Sequence, residues 1–168
     1  YKCKVLFDKK ISITLENTIY CDFENKISVT LIIPVLKEQK MDLILQKSTE
    51  LGVSKIIPII TERTIVKITD NEDKKLDRWK KIVKEASEQS KRIDIPIIDN
   101  VKKISDLNFD DGVKLVCSTS EKVKNIKNIM QSLEKCAKMY IVVGPEGGLS
   151  STEEHQLNKL GFVSVTLG

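Results

Sequence analysis

The chain has 168 residues, 40% of them hydrophobic, enough for one ordinary domain with a real core, or one domain and a piece of another. Its net charge of +4 permits a nucleic-acid partner, while 5% aromatic residues argue against base stacking on an aromatic platform as the main binding mode. The four cysteines (Cys3, Cys21, Cys117, Cys136) form no C-x-x-C pair and have no partnering histidines, which argues against a zinc site or disulfide framework and for reduced, intracellular thiols. No apolar run reaches transmembrane length, and nothing at Tyr1 reads as a signal peptide.

Residues 1–36 read as β structure. Ile11, Ile13 and Leu15 alternate with polar residues, as do Ile27, Val29 and Leu31, and Asp8-Lys9-Lys10 and Glu24-Asn25-Lys26 supply turns. Three strands make a poor domain alone, so the chain is expected to open inside a small β domain. The pattern changes near Pro34. Met41, Ile44, Leu45 and Leu51 share a helical face that Gly52 ends, and Val53–Ile60 is a strand in which Pro58 suggests an edge or bulge. Thr61-Glu62-Arg63-Thr64 follows, either a solvated loop or part of a site.

Residues 72–92 form a long helix whose inner face is Leu76, Trp79, Ile82, Val83 and Ala86. Trp79 is in register with Leu76 and Val83 and so reads as core. The other face is rich in lysine, including Lys80, Lys81 and Lys84, and either is merely solvated or meets RNA phosphates. Ile95–Ile98 is a short strand or an extended segment, and Val113–Cys117 is a better strand. Ser118-Thr119-Ser120 offers an N-cap for a helix carrying Val123, Ile126, Met130 and Leu133 on one face.

The last third holds the most informative stretch. An apolar strand, Met139–Val143, breaks into Gly144-Pro145-Glu146-Gly147-Gly148, and a helix follows at once. Ser151 and Glu154 have capping-box spacing, Leu157 and Leu160 supply the apolar face, and Gly161 reads as the stop. The only histidine, His155, lies on the polar side. A last strand runs from Val163 to Leu167. Strand, glycine loop and helix together are how parallel α/β proteins build ligand sites at the carboxyl ends of strands. The loop is neither a Gly-x-Gly-x-x-Gly fingerprint nor a P-loop, and alone it is equally a plain tight turn. From residue 40 on, helices and strands alternate, which predicts a parallel α/β sheet with helices on both faces.

Several stretches together carry a family resemblance. They are Lys40-Met41-Asp42 with Gln46–Gly52, then Thr61-Glu62-Arg63-Thr64, then Arg78–Ile82 running into Glu85–Arg92, and then Gly144–Ser150 with Glu153 and Leu167-Gly168. In this order they resemble the ribosomal RNA small subunit methyltransferase E family. The resemblance implies S-adenosylmethionine-dependent methylation of uridine N3 in small-subunit ribosomal RNA by a cytoplasmic or organellar homodimer. It implies a SPOUT-type trefoil-knotted sheet over residues 37–168, with residues 1–36 as the end of a PUA-like RNA-binding β domain. The family continues beyond Leu167-Gly168 with the segment that completes the knot. The sequence is therefore expected to be cut at both ends, and inactive by itself.

The resemblance also implies where the site lies. Cofactor-binding loops would be Ser118 and Thr119, Gly144, Pro145, Glu146, Gly147 and Gly148, and Leu167 and Gly168, with Leu167 covering the adenine. Arg63 and Arg92 are candidates for RNA phosphate or the developing uridinate. Glu146 would orient the cofactor or the base, or else satisfy its own loop's N–H groups. No metal is expected. Two other readings stay open on the residues alone: a non-enzymatic RNA-binding protein, and an α/β protein holding a nucleotide phosphate at the helix that begins near Ser151.

Overall fold

The structure is a computed structural model that describes residues 2–7, 10–17, 27–65, 72–118, 124–132 and 137–167. The chain opens with an antiparallel pair, β1 (Lys2–Phe7) and β2 (Ile11–Asn17), with Phe7 opposite Ile11 and Val5 opposite Ile13. The remaining strands form one sheet: β3 (Ser28–Pro34), β4 (Lys55–Ile60), β5 (Ile97–Ile98), β6 (Lys102–Lys103), β7 (Val113–Cys117), β8 (Lys138–Val143) and β9 (Val163–Val165). Its order is β5-β4-β3-β8-β7-β9, with β6 also on β4, and every pairing within it among the described residues is parallel. The helices are α1 (Glu38–Glu50), α2 (Glu72–Gln89), α3 (Ile126–Ser132) and α4 (Ser151–Lys159). The expected α/β fold class is borne out.

The alternation of Ile27, Val29 and Leu31 groups β3 with the opening β segment; the structure places it at the centre of the parallel sheet, between β4 and β8. The reason is burial on both faces. Ile32 joins one core cluster with Ile57, Ile59, Val116, Val142, Leu157 and Phe162, while its neighbour Ile33 joins the other with Met41, Leu45, Ile56, Leu76, Trp79 and Val83. A strand covered on both sides needs an apolar run, and Leu31-Ile32-Ile33 supplies one. Trp79 is 3% exposed, as its register predicts. Leu51 is 86% exposed rather than on the buried face, because it is the C-cap of α1 and the chain has left the helix there.

Pro58 sits inside β4 without harm. The carbonyls of Ser54 and Ile56 accept from Ile97 and Asp99, so Pro58, in step with them, also faces that side. There the neighbouring strand is interrupted between Ile98 and Lys102, and no ladder bond is lost. Helices α1, α2 and α4 end alike, each followed by an N–H that bonds five residues back: Val53 to Ser48, Arg92 to Ser87, Phe162 to Leu157. The left-handed residue is glycine twice, Gly52 (φ 93°) and Gly161 (φ 88°), and lysine once, Lys91 (φ 55°).

The chain runs outward from β3 to β4 and β5, then returns to build β8, β7 and β9 on the other side of β3. Loops at the carboxyl ends of strands either side of such a reversal leave a crevice where ligands bind.

Candidate functional site

The glycine loop stands in that crevice, at the end of β8. Gly148 N–H closes a turn onto Pro145 O at 2.8 Å, and Gly148 itself takes φ 73°, the left-handed conformation that favours glycine. A Cβ on Gly144 would lie 3.2 Å from Leu149 Cγ, so the loop is folded tightly on itself. The capping box uses Ser150 and Glu153, one residue earlier than the Ser151/Glu154 spacing suggests. Both spacings exist in the sequence. The choice falls on Glu153 because its second oxygen accepts the Glu62 N–H from the loop after β4, at 2.8 Å.

That loop is stiffened by Thr61 and Thr64. Thr61 N–H donates to Thr64 Oγ1 at 2.9 Å, and Thr64 N–H donates to Thr61 O at 3.0 Å. Arg63 projects from it onto the glycine loop, where its guanidinium donates to Gly147 O.

Between these loops and the ends of β7 and β9 lies a cavity of about 620 Å³, a size typical of small-ligand sites. Val143, Leu149, Val165 and Leu167 give it apolar wall; Arg63, Ser118, Ser151, Glu154 and Thr166 give it polar groups; Gly144, Gly147 and Gly148 bring main chain to its surface. Ser118 is buried and donates to Glu154 Oε1 at 2.7 Å, so it braces the cavity wall; the stretch it is expected to cap, 119–123, lies outside the described residues. Burial pushes the Cys117 thiol up from its ordinary range, which favours its neutral form.

The structure thus brings together Arg63, Ser118, Gly144, Pro145, Gly147, Gly148 and Leu167. Thr119 and Gly168 lie outside the described residues. Glu146 is on the far side of the glycine loop, bonded to Lys40 Nζ at 2.5 Å, and shares a smaller cleft of about 170 Å³ with Lys40 and Arg63. The Lys40 ammonium holds its carboxyl below the usual glutamate range.

Arg92 is elsewhere. Its guanidinium donates to Thr49 O at 2.7 Å and Val53 O at 2.9 Å, at the amino end of β4, and pairs with Asp94 at 2.9 Å. Its side chain is 9% exposed. It is committed to the end of α1, at the opposite end of the strands from the cavity. Lys80, Lys81 and Lys84 are exposed along α2; Lys80 and Lys84 have only long contacts with Asp77 (4.0 Å) and Glu88 (3.9 Å). Among the described residues no group of His, Cys, Asp and Glu could hold a metal, and no helix is long and apolar enough to cross a membrane.

The sequence reading misses Glu153 and Glu154 as site-building groups. Glu154 enters that reading only as a capping partner of Ser151, and Glu153 only among the residues of the family resemblance.

The sequence matches the family model described as an RNA methyltransferase domain over residues 23–168, which takes in every loop of the cavity. The chain belongs to the RNA methyltransferase family. Curated members similar to it include the ribosomal RNA small subunit methyltransferase E of Mesomycoplasma hyopneumoniae, 35% identical over 86% of this chain. That of Bacillus subtilis is 38% identical over 79%. The aligned parts are 63% and 55% of those two proteins, so the chain spans roughly three-fifths of the relatives' length. Among solved family structures, a Neisseria gonorrhoeae ribosomal RNA small subunit methyltransferase E bound to S-adenosylmethionine is 33% identical. It superposes with a TM-score of 0.82 over 99% of this chain and 69% of its own. The family's fold is therefore the one expected, a SPOUT-type α/β sheet.

Proposed function

We propose that this protein methylates uridine N3 in small-subunit ribosomal RNA, using S-adenosylmethionine. The observation that carries the reading is the 620 Å³ cavity, where the glycine loop and Arg63 meet at the carboxyl ends of β7, β8 and β9. The S-adenosylmethionine-bound relative of the same fold supports it. The residues present fit that cofactor. Val143, Leu149 and Leu167 offer apolar wall to a flat ring, main chain at Gly144 and Gly148 can approach closely, and the Glu154 carboxylate suits a cationic ligand.

When bound, the cofactor supplies an electrophilic methyl group on a sulfonium. The rest falls to the chain's own side chains. Uridine N3 is a poor nucleophile until it loses its proton, so the site must favour the anion. Arg63 is the cation placed to do so, since it borders both the cavity and the smaller cleft. Glu146 is ill suited as the base: its carboxyl is held acidic by Lys40, which weakens it as a proton acceptor. Its role in this reading is to hold the tip of the glycine loop. Arg92 contributes stability instead.

The homodimer, the knot, a PUA-like affiliation for residues 1–36, the Lys80, Lys81 and Lys84 contacts with RNA, Thr119 and Gly168 at the cofactor, and a cytoplasmic setting belong to the same proposal. A nucleotide phosphate at the start of α4 fits less well, because the Glu153 carboxylate already accepts the Ser150 N–H there and the Ser150 hydroxyl accepts the Glu153 N–H.

The test is methyl transfer from labelled S-adenosylmethionine to unmodified small-subunit RNA or assembled subunits, with the product nucleoside identified by mass spectrometry. N3-methyluridine is the expected product. Methyl groups on another nucleoside would refute the specificity, and no transfer despite cofactor binding would favour a binding protein.

A further inference from the structure

Glu153 is the only charged residue that the fold buries among the described residues, at 5% exposure. A buried carboxylate is costly unless its oxygens are bonded, and both are. Oε2 accepts the Ser150 N–H and Oε1 the Glu62 N–H, each at 2.8 Å. A helix cap needs only the first of these. The second reaches 91 positions back along the chain, to the loop after β4. That loop and the glycine loop stand on β4 and β8, which are separated in the sheet by β3. They are joined at two points: Glu62 N–H on Glu153, and the next residue's guanidinium on Gly147 O. The Thr61–Thr64 staple makes the first loop stiff, so fixing Glu62 also fixes where Arg63 can point.

We propose that Glu153 is a positioning residue: by holding the Glu62 and Ser150 N–H groups on one carboxylate, it sets Arg63 against the glycine loop. The cofactor side and the RNA side of the site then keep one geometry. This inference rests on the methyltransferase reading above for its consequence in catalysis, but its structural claim is measurable without it.

Two variants of the whole protein test it. Glu153→Gln keeps the volume but turns an amide NH₂ toward one of the two donors. Glu153→Asp keeps the charge and is one methylene too short to serve both. In the folded variants, nitrogen-15 order parameters of the Arg63 Nε–H and the Gly147 amide should fall to flexible-loop values, below about 0.6, while α2 and β3 stay rigid. Unchanged order at Arg63 would overturn the proposal. So would global unfolding of both variants, since the carboxylate would then hold the fold rather than the site. In methyl transfer, Glu153→Gln should lower kcat about tenfold with the cofactor KM within about threefold. Combined with Arg63→Ala it should be no slower than Arg63→Ala alone, as for residues acting through one another. Multiplying effects would overturn the proposal. A wild-type protein that transfers no methyl would refute the proposed function, and the order parameters would still decide the role of Glu153.

Discussion

Lys40 Nζ donates to Glu146 Oε1 at 2.5 Å, tying helix α1 to the tip of the glycine loop across 106 positions of sequence. The pair is largely exposed, so its effect is on the loop's position more than on global stability. Its hydrogen bond lowers the Glu146 carboxyl below the ordinary value of 4.5, with a backbone bond and the Lys40 charge adding to it. A carboxyl whose folded value is depressed contributes above its unfolded value, and the contribution is lost as pH falls through the folded one. The latch is therefore closed at neutral pH and opens only in acid. A carbon-13 titration of the Glu146 carboxyl should show a midpoint below 4.5, and Lys40→Met should raise it. A midpoint that ignores Lys40 would contradict the pairing.

Arg92 provides a second test. Its guanidinium serves two main-chain carbonyls at the end of α1. Arg92→Ala should destabilise the protein by about 2–3 kcal/mol, the scale of hydrogen bonds to a charged donor, measured by urea unfolding. Affinity for S-adenosylmethionine in the folded variant should be unchanged, because the residue lies at the other end of the sheet. Loss of affinity with full stability would put Arg92 back in the site.

Much of this is legible in the sequence because it is local. The period of Leu76, Trp79 and Val83 names a buried helix face, and the run Met139–Val143 names a buried strand, without reference to anything distant. The glycine loop is likewise a local device, which places it at a strand end and points to a cavity there. What stays hidden depends on strand order. Arg92 stands in the connection from α2 into β5, which in a parallel sheet lies at the amino ends of the strands. Nothing near it says that its partners are the Thr49 and Val53 carbonyls; those come beside it because β4 runs next to β5. The sheet membership of β3 is the same kind of fact. The choice of Ser150 over Ser151 as the cap is decided by the Glu62 N–H, a partner that no local spacing reveals.

The left-handed Lys91 at the end of α2 occupies a position that glycine holds at the ends of α1 and α4. The conformation costs a non-glycine residue roughly 1–2 kcal/mol, part of which glycine returns through its freer unfolded chain. Lys91→Gly should therefore raise stability by about 0.5–1 kcal/mol, read as a higher urea midpoint. A lower midpoint would mean the lysine side chain contributes more than its backbone strain removes.

The exposed lysines of α2 carry the RNA part of the proposal. The long contacts of Lys80 and Lys84 with Asp77 and Glu88 hold them weakly, so they are available to phosphates. Reversing Lys80, Lys81 and Lys84 to Glu should weaken RNA binding and reduce the slope of log affinity against log salt by roughly 0.7–0.9 for each phosphate these lysines neutralise. An unchanged slope would assign that face to solvent.

If the cavity beside the glycine loop is the S-adenosylmethionine site, calorimetric titration of the whole protein, wild type beside Gly147→Val and Gly148→Ala, tests it most directly. A side chain at Gly147 would crowd Arg63, its Cβ lying 3.3 Å from Arg63 Cδ, and one at Gly148 would have to hold φ 73°. One cofactor site is predicted in the wild type, with affinity reduced at least about tenfold in both variants while each remains folded, a loss of about 1.4 kcal/mol. Wild-type affinity in both folded variants, or no binding by the wild type at all, would contradict it.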